Sequence, residues 1–174
     1  RGRRRVMART AYSIVLWLAL PLVLARLAWR ARRQPGYLAH LGARFGTSPR
    51  PAGKPVIWVH AVSVGEVLTV RALLPPLRER YPRLRLFVST TTMAGQQVAR
   101  SNLPFVDAVF YFPFDLGLVV RRTLDLVKPR LFLMMETEIW PTLLRHCRER
   151  GIATMLVNGR ISNRSFARYR LIRP

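Results

Sequence analysis

The residues best placed to do chemistry lie in HAVSVGE, His60–Glu66. The apolar run Pro55–Val59 precedes this motif, and a helix-like segment, Val67–Tyr81, follows it. Glu66 is therefore expected on the turn between a strand and a helix, just after Gly65. Such turns lie at the carboxyl edge of a parallel sheet, where open α/β folds bind ligands. Glu66 is also the first acidic residue of the chain; Arg1–Gly65 contains neither Asp nor Glu. A lone carboxylate in that position is a candidate general base. The plainer role is a helix cap, because carboxylates favour helix N-termini, and the same dipole would keep the group ionised.

The elements that must position Glu66 are read from a regular alternation after Pro55. Apolar runs occur at Val56–Val62, Leu84–Ser89, Val106–Phe112, Leu131–Met135 and Thr154–Val157. Helix-like segments at Val67–Tyr81, Ala94–Ser101, Leu116–Val127 and Ile139–Arg150 separate them. Pro82, Pro104, Pro113, Pro129 and Gly151 mark the joins. Buried strands alternating with amphipathic helices predict an α/β, Rossmann-like, doubly wound parallel sheet.

That topology gathers polar residues from five strand ends on one edge. Ser63, Gly65 and Glu66 follow the first strand; Thr90, Thr91, Thr92 and Gly95 follow the second. Pro113 and Asp115 follow the third, Glu136, Thr137 and Glu138 the fourth, and Asn158, Arg160 and Ser162 the fifth. Convergence from successive strand ends says more than any member alone. Ser63, Gly65, Thr90, Thr91, Thr92, Glu138, Asn158 and Arg160 are the candidate substrate-binding residues. Taken singly, the threonines read as N-caps, and one of Glu136 and Glu138 as a cap for the following helix. The dinucleotide pattern G-x-G-x-x-G is missing from SVGEV, and so is a P-loop. His40, His60 and His146 have no metal-cluster spacing, so neither a metal site nor a cofactor is expected. Cys147, the single cysteine, rules out an intrachain disulfide and reads as a small buried hydrophobe.

The 174 residues carry 30 Lys+Arg against 8 Asp+Glu, a net charge of +22. Such an excess points to an anionic partner: nucleic acid, an anionic membrane surface or a phosphorylated substrate. Ala11–Trp29 is 19 residues of almost unbroken apolar sequence, near the ~20 that span a bilayer. Arg26 is near enough to its end to snorkel, and Pro21 is expected to kink it. Arg30, Arg32 and Arg33 follow where a signal peptide would carry small residues for cleavage. An uncleaved anchor, spanning or monotopic, fits better than a signal peptide or a soluble core helix. The basic residues after it place the remainder in the cytoplasm by the positive-inside rule. The expected organisation is a membrane-anchor helix with a basic flank over 8–33, a linker over 34–54 and a Rossmann-like domain over 55–174. A short amphipathic piece, Tyr37–Phe45, lies within the linker. The chain opens on Arg1 and ends on Pro174 without a cap, so a piece of a longer reading frame is expected, with Met7 as the candidate start.

HAVSVGE (60–66), STTTMAG (89–95), ETEIWP (136–141) and LVNGRIS (156–162), together with QPGY (34–37) after a basic-flanked apolar segment, resemble the lipid A Kdo transferases. Kdo is 3-deoxy-D-manno-octulosonic acid. The resemblance runs from about Ala8 to the C-terminus. It implies a GT-B glycosyltransferase of two Rossmann-like domains, no required metal, and transfer of Kdo from CMP-Kdo to the 6′-hydroxyl of the tetraacylated lipid A precursor, lipid IVA. Such an enzyme works at the cytoplasmic face of the inner membrane, in lipopolysaccharide biosynthesis. Only the N-terminal, acceptor-binding domain is expected here, with the C-terminal donor domain absent and the fragment alone inactive. By position, Glu66 matches the family's general base in an inverting reaction, and Glu136 a position assigned to transition-state stabilisation. Two departures stand out: NGRIS where NARLS is expected, and Met93 where proline is usual. They leave the base in place and blur the shape of two loops.

Two other classes fit parts of the sequence. Another membrane-associated GT-B glycosyltransferase with a different donor shares the fold. A non-enzymatic basic module for membranes or nucleic acid accounts for the charge but not for the apolar segment, and no nucleic-acid motif is present.

Overall fold

The computed structural model describes residues 2–34, 36, 40–47, 49–51, 53–136 and 139–159. The alternation after Pro55 folds into five parallel strands: β1 (Val56–His60), β2 (Arg85–Thr90), β3 (Ala108–Tyr111), β4 (Pro129–Met135) and β5 (Ala153–Val157). Four helices join them: α3 (Val64–Arg80), α4 (Met93–Asn102), α5 (Gly117–Val127) and α6 (Pro141–Glu149). Before the sheet come the long α1 (Gly2–Ala31) and a single turn, α2 (Leu41–Arg44). The strand order is β3-β2-β1-β4-β5. The chain winds outward from β1 to β3, then crosses back to β4 on the other flank of β1. Right-handed crossovers require helices made before and after such a reversal to cover opposite faces.

Side-chain alternation along β1 feeds both layers. Val56 and Trp58 pack with Val120, Leu124 and Val127 of α5 and Leu143 and Cys147 of α6. Ile57 and Val59 pack with Val67, Val70 and Leu74 of α3 and Ala99 and Leu103 of α4. Trp58 is fully buried, its ring centroid 5.5, 5.8 and 4.8 Å from those of Phe110, Phe112 and Phe132. Burial pushes the Cys147 thiol up to about 11, as suits an inert core residue. Asp107 ties the start of β3 to β2 and α3, accepting hydrogen bonds from Arg78, Arg85 and the Leu86 N–H. Burial alone would raise its pKa, but those donors and the Arg78 charge outweigh it and hold the carboxyl below the usual range.

Among the differences from the sequence expectation, two boundaries and one burial pattern bear on the sheet edge. β1 ends at His60 rather than Val62, because the Val62 N–H turns to a side-chain carboxylate. α3 starts at Val64, so Glu66 stands in the first helical turn and not on the preceding loop. β5 is the exception to the buried-strand pattern: Met155 and Leu156 are exposed.

Candidate active site

Register sets Phe110, Ser89, His60, Met134 and Leu156 in one row across the sheet near its carboxyl edge. The strand order reverses between β1 and β4. The loops leaving these two strands therefore flank the crevice where doubly wound folds bind ligands. Glu66 belongs to the first loop's helix and Glu136 begins the second loop.

Ser63 and Glu66 form a capping box at the start of α3. The Ser63 Oγ accepts the Glu66 N–H at 3.4 Å and donates to Glu66 Oε1 at 2.9 Å. Glu66 Oε2 accepts the Val62 N–H at 2.8 Å. The spacing S-x-x-E dictates this arrangement, which satisfies N–H groups that the first turn leaves without partners. The carboxylate is held in one position, 6% exposed. Gly65 has no steric partner: a Cβ there would meet only Ser63 Oγ at 3.9 Å. Its missing side chain leaves the first turn of α3 open to approach. The neighbouring loop is stitched on through Val62, whose carbonyl accepts from Thr92 Oγ1 at 3.4 Å. Thr92 also caps α4 through the Gly95 N–H at 3.0 Å. Gly95 is demanded by packing, because a Cβ would stand 2.8 Å from Thr92 Oγ1 and 3.3 Å from the Val62 carbonyl.

The other candidates divide. Thr90 is fully buried and spends its hydroxyl on Gln96 Oε1 at 2.8 Å. Thr91 presents its carbonyl to Arg44 Nη2 at 2.7 Å. Glu136 and Asn158, directly after β4 and β5, both take left-handed conformations, φ 57° and 55°. Asn tolerates that region; a glutamate there is unusual, and such strain concentrates at functional sites. The Glu136 N–H donates to the Val157 carbonyl at 2.9 Å, which fixes the turn. Glu138 and Arg160 lie outside the described residues.

Four features at this edge escaped the sequence reading. His60 is fully buried, stacked on Phe112 at 3.8 Å, with Nδ1 3.1 Å from the Ser89 carbonyl. Burial lowers its pKa from 6.5 to about 3, against a smaller opposing effect of that hydrogen bond, so it is neutral. Asp115 caps α6 from a distance, accepting the Thr142 and Leu143 N–H groups at 2.9 and 2.8 Å and the Tyr12 hydroxyl at 2.9 Å. Burial raises its pKa despite these donors. Arg44, from the stretch read as linker, is buried over the Tyr111 ring at 4.6 Å. His60 Nε2, Thr91 Oγ1, Gln96 Nε2 and Trp140 Nε1 are buried without hydrogen-bond partners. None of these four has a sequence signal; the S-x-x-E spacing of Ser63 and Glu66 signals only the capping box. Among the described residues, no group of three or more His, Cys, Asp and Glu is placed to hold a metal ion.

Several hollows accompany the fold, among them two at opposite edges of the sheet. The larger, about 660 Å³, lies at the amino edge between Arg50, Lys54, Lys128 and Arg130, away from the Glu66 loop. The smaller, about 290 Å³, lies at the carboxyl edge and includes Thr91, Asp115 and Trp140.

The family model for 3-deoxy-D-manno-octulosonic-acid transferase (kdotransferase) matches residues 39–174, which includes both flanks of the crevice. The chain belongs to the Kdo transferase family. It is 35% identical over 94% of its length to a 3-deoxy-D-manno-octulosonic acid transferase of Haemophilus influenzae. It is 34% identical over 90% to one of Bordetella pertussis, and 31% identical over 91% to a probable mitochondrial one of Arabidopsis thaliana. The chain spans 39%, 38% and 36% of the lengths of these relatives. The Kdo transferase match covers the whole sheet and every element that carries the crevice residues, and it begins after α1.

Proposed function

We propose that the complete protein transfers Kdo from CMP-Kdo to a hydroxyl of the tetraacylated lipid A precursor, with inversion, at the cytoplasmic face of the inner membrane. The observation that carries this reading is the position of Glu66 in the first turn of the helix after β1 and of Glu136 in the turn after β4, on either side of the strand-order reversal, within a Kdo transferase domain. Glu66 takes the proton of the acceptor hydroxyl as its oxygen bonds to the anomeric carbon of Kdo and CMP departs. A carboxylate offers about four lone-pair positions. Val62 and Ser63 occupy two, which orients the group and leaves capacity for the acceptor proton. Glu136 supports the oxocarbenium-like charge that develops during transfer. Ser63, Gly65, Thr92 and Asn158 border the acceptor. A second Rossmann-like domain, in the GT-B arrangement, holds most of the nucleotide sugar.

Membrane association follows from α1. Thr10–Ala31 is long and apolar enough to cross a membrane, with a mean hydropathy of 1.9. The net charge of +22 adds attraction to anionic lipid and to acceptor phosphates. The test uses the full-length protein that contains this chain, incubated with CMP-Kdo and the tetraacylated precursor. Mass spectrometry should show addition of Kdo with release of CMP. Transfer from another nucleotide sugar in its place, or no transfer with an intact fold, would overturn the assignment.

A further inference from the structure

Helix α1 is apolar on more than one side. Tyr12, Leu16, Ala19, Leu20, Leu24 and Leu27 are half-buried, at spacings of one helical face, and Ala31 is buried. The face turned away from the domain carries exposed Ile14, Val15, Trp17, Leu18 and Leu22. The helix thus meets the domain over Tyr12–Val23, pinned at Tyr12 by the Asp115 carboxylate. A helix crossing the bilayer at right angles could not keep these contacts with a domain outside it. The two apolar faces fit a helix lying in the membrane plane, domain on one side and acyl chains on the other.

Between α1 and the domain lies the 290 Å³ cavity, lined by Leu16, Leu20 and Val23 and by Phe112, Phe114 and Trp140. Its charged neighbours are already engaged: Asp115 in three hydrogen bonds, and Arg44 with the Thr91 carbonyl and the Tyr111 ring. The remaining walls are apolar apart from two buried polar atoms without partners, Thr91 Oγ1 and Trp140 Nε1. The volume sits at the lower limit of small-molecule sites, about 300–1,000 Å³. It takes a length of hydrocarbon chain and not a sugar headgroup. Thr91 lines the cavity. Thr92, the next residue, bonds the Val62 carbonyl, and Val62 in turn holds Glu66.

We propose that this cavity receives one acyl chain of the lipid acceptor, and so holds the acceptor headgroup beside the Glu66 loop. The proposal rests on the reading of the acceptor as an acylated lipid, and deepens it. Because α1 forms one wall and also faces the bilayer, the chain enters without passing through water.

The test uses the full-length protein with Ala19→Phe, which puts an aromatic ring into the cavity, and with Leu16→Ala, which enlarges it. Trp140 emission is read in a Trp17→Phe/Trp29→Phe background, with Trp140→Phe as the blank, on vesicles of phosphatidylglycerol brominated along its chains. Quenching of Trp140 is expected, reduced by Ala19→Phe and kept by Leu16→Ala. In the transfer assay, Ala19→Phe should lower the preference for the tetraacylated over the deacylated acceptor about tenfold, the effect of two methylenes left unburied. Loss of quenching with the acceptor preference unchanged would assign the cavity to bulk phospholipid and overturn the proposal. Full quenching in a normally melting Ala19→Phe variant would overturn it as well. If Ala19→Phe fails to fold, unquenched Trp140 in Leu16→Ala has the same force. The quenching experiment needs no turnover, so failure of the Kdo transfer reading shows separately, as absent transfer with quenching intact.

Discussion

Glu66 caps α3 and is the proposed general base, and Glu66→Gln separates the two roles. The wild-type carboxylate holds the Val62 N–H at 2.8 Å and the Ser63 hydroxyl at 2.9 Å. Glutamine keeps both contacts: its carbonyl accepts from Val62, and its amide donates to a Ser63 hydroxyl turned the other way. No buried donor is orphaned. What is lost is the charge. At a helix N-terminus that is worth about 0.3–1 kcal/mol, and reducing two charge-assisted hydrogen bonds to neutral ones adds about 1 kcal/mol. The total is about 1–2 kcal/mol, and a domain of this size loses roughly 2–4 °C of Tm per kcal/mol. Glu66→Ala leaves the Val62 N–H unpaired and costs about 1–3 kcal/mol more. Removing a general base lowers turnover about 10²–10⁴-fold. Thermal melts followed by circular dichroism, beside turnover of the full-length enzyme, read the two effects independently. A Glu66→Gln enzyme with a modestly lower Tm and near-normal turnover would leave Glu66 as a cap alone and refute the catalytic assignment.

Further outcomes follow from the same contacts. His60 is neutral when native, with a pKa of about 3 against an ordinary 6.5. Its contribution to stability is therefore whole above pH 6.5 and is lost as pH falls from there toward 3. At about 1.4 kcal/mol per pH unit, the loss between pH 6.5 and 5 is about 2 kcal/mol, and His60→Phe should flatten the dependence of Tm on pH over that range. Asp115→Ala removes three hydrogen bonds that join α1, β3 and α6. It should destabilise the chain by about 1–3 kcal/mol in denaturant titrations, and proteolysis should cut α1 sooner. Asp107 is held below its usual pKa range, so its support is present at neutral pH and fades as acid protonates it. Asp107→Asn should cost about 1–3 kcal/mol at pH 7 and progressively less below pH 4. Truncation of α1 should release the protein from anionic vesicles, more completely at high salt; a truncated form that still pellets at high salt would place the anchor elsewhere.

The sequence by itself determined the sheet and the identity of its edge residues. Apolar runs such as VIWVH, separated by amphipathic helices, have one economical packing, in which both faces of every inner strand are covered. Handedness then fixes which loops share an edge. That is why Glu66 and Glu136 were legible as residues of one sheet edge, while the adjacency of β1 and β4 came only with the strand order. The apolar length of α1 was legible too, because hydropathy is additive along a chain. The tertiary structure decided what each polar group does, because hydrogen-bond partners come from residues far apart in sequence. Asp115 caps a helix 27 residues away and receives a hydroxyl from 103 residues away. Neither spacing has a periodic signature. Arg44 came from the short amphipathic piece Tyr37–Phe45, and only the closeness of Thr91 and Tyr111 makes it a buried cation. His60 had the pattern of a polar strand end, and only the rings packed around it show that it stays neutral. The resting of α1 against the domain was equally out of reach, because an all-round apolar helix has no sequence preference between lipid and protein. Only shape, the stripe from Tyr12 to Val23 meeting Asp115 and the cavity at the sheet edge, settles which side it presents to which.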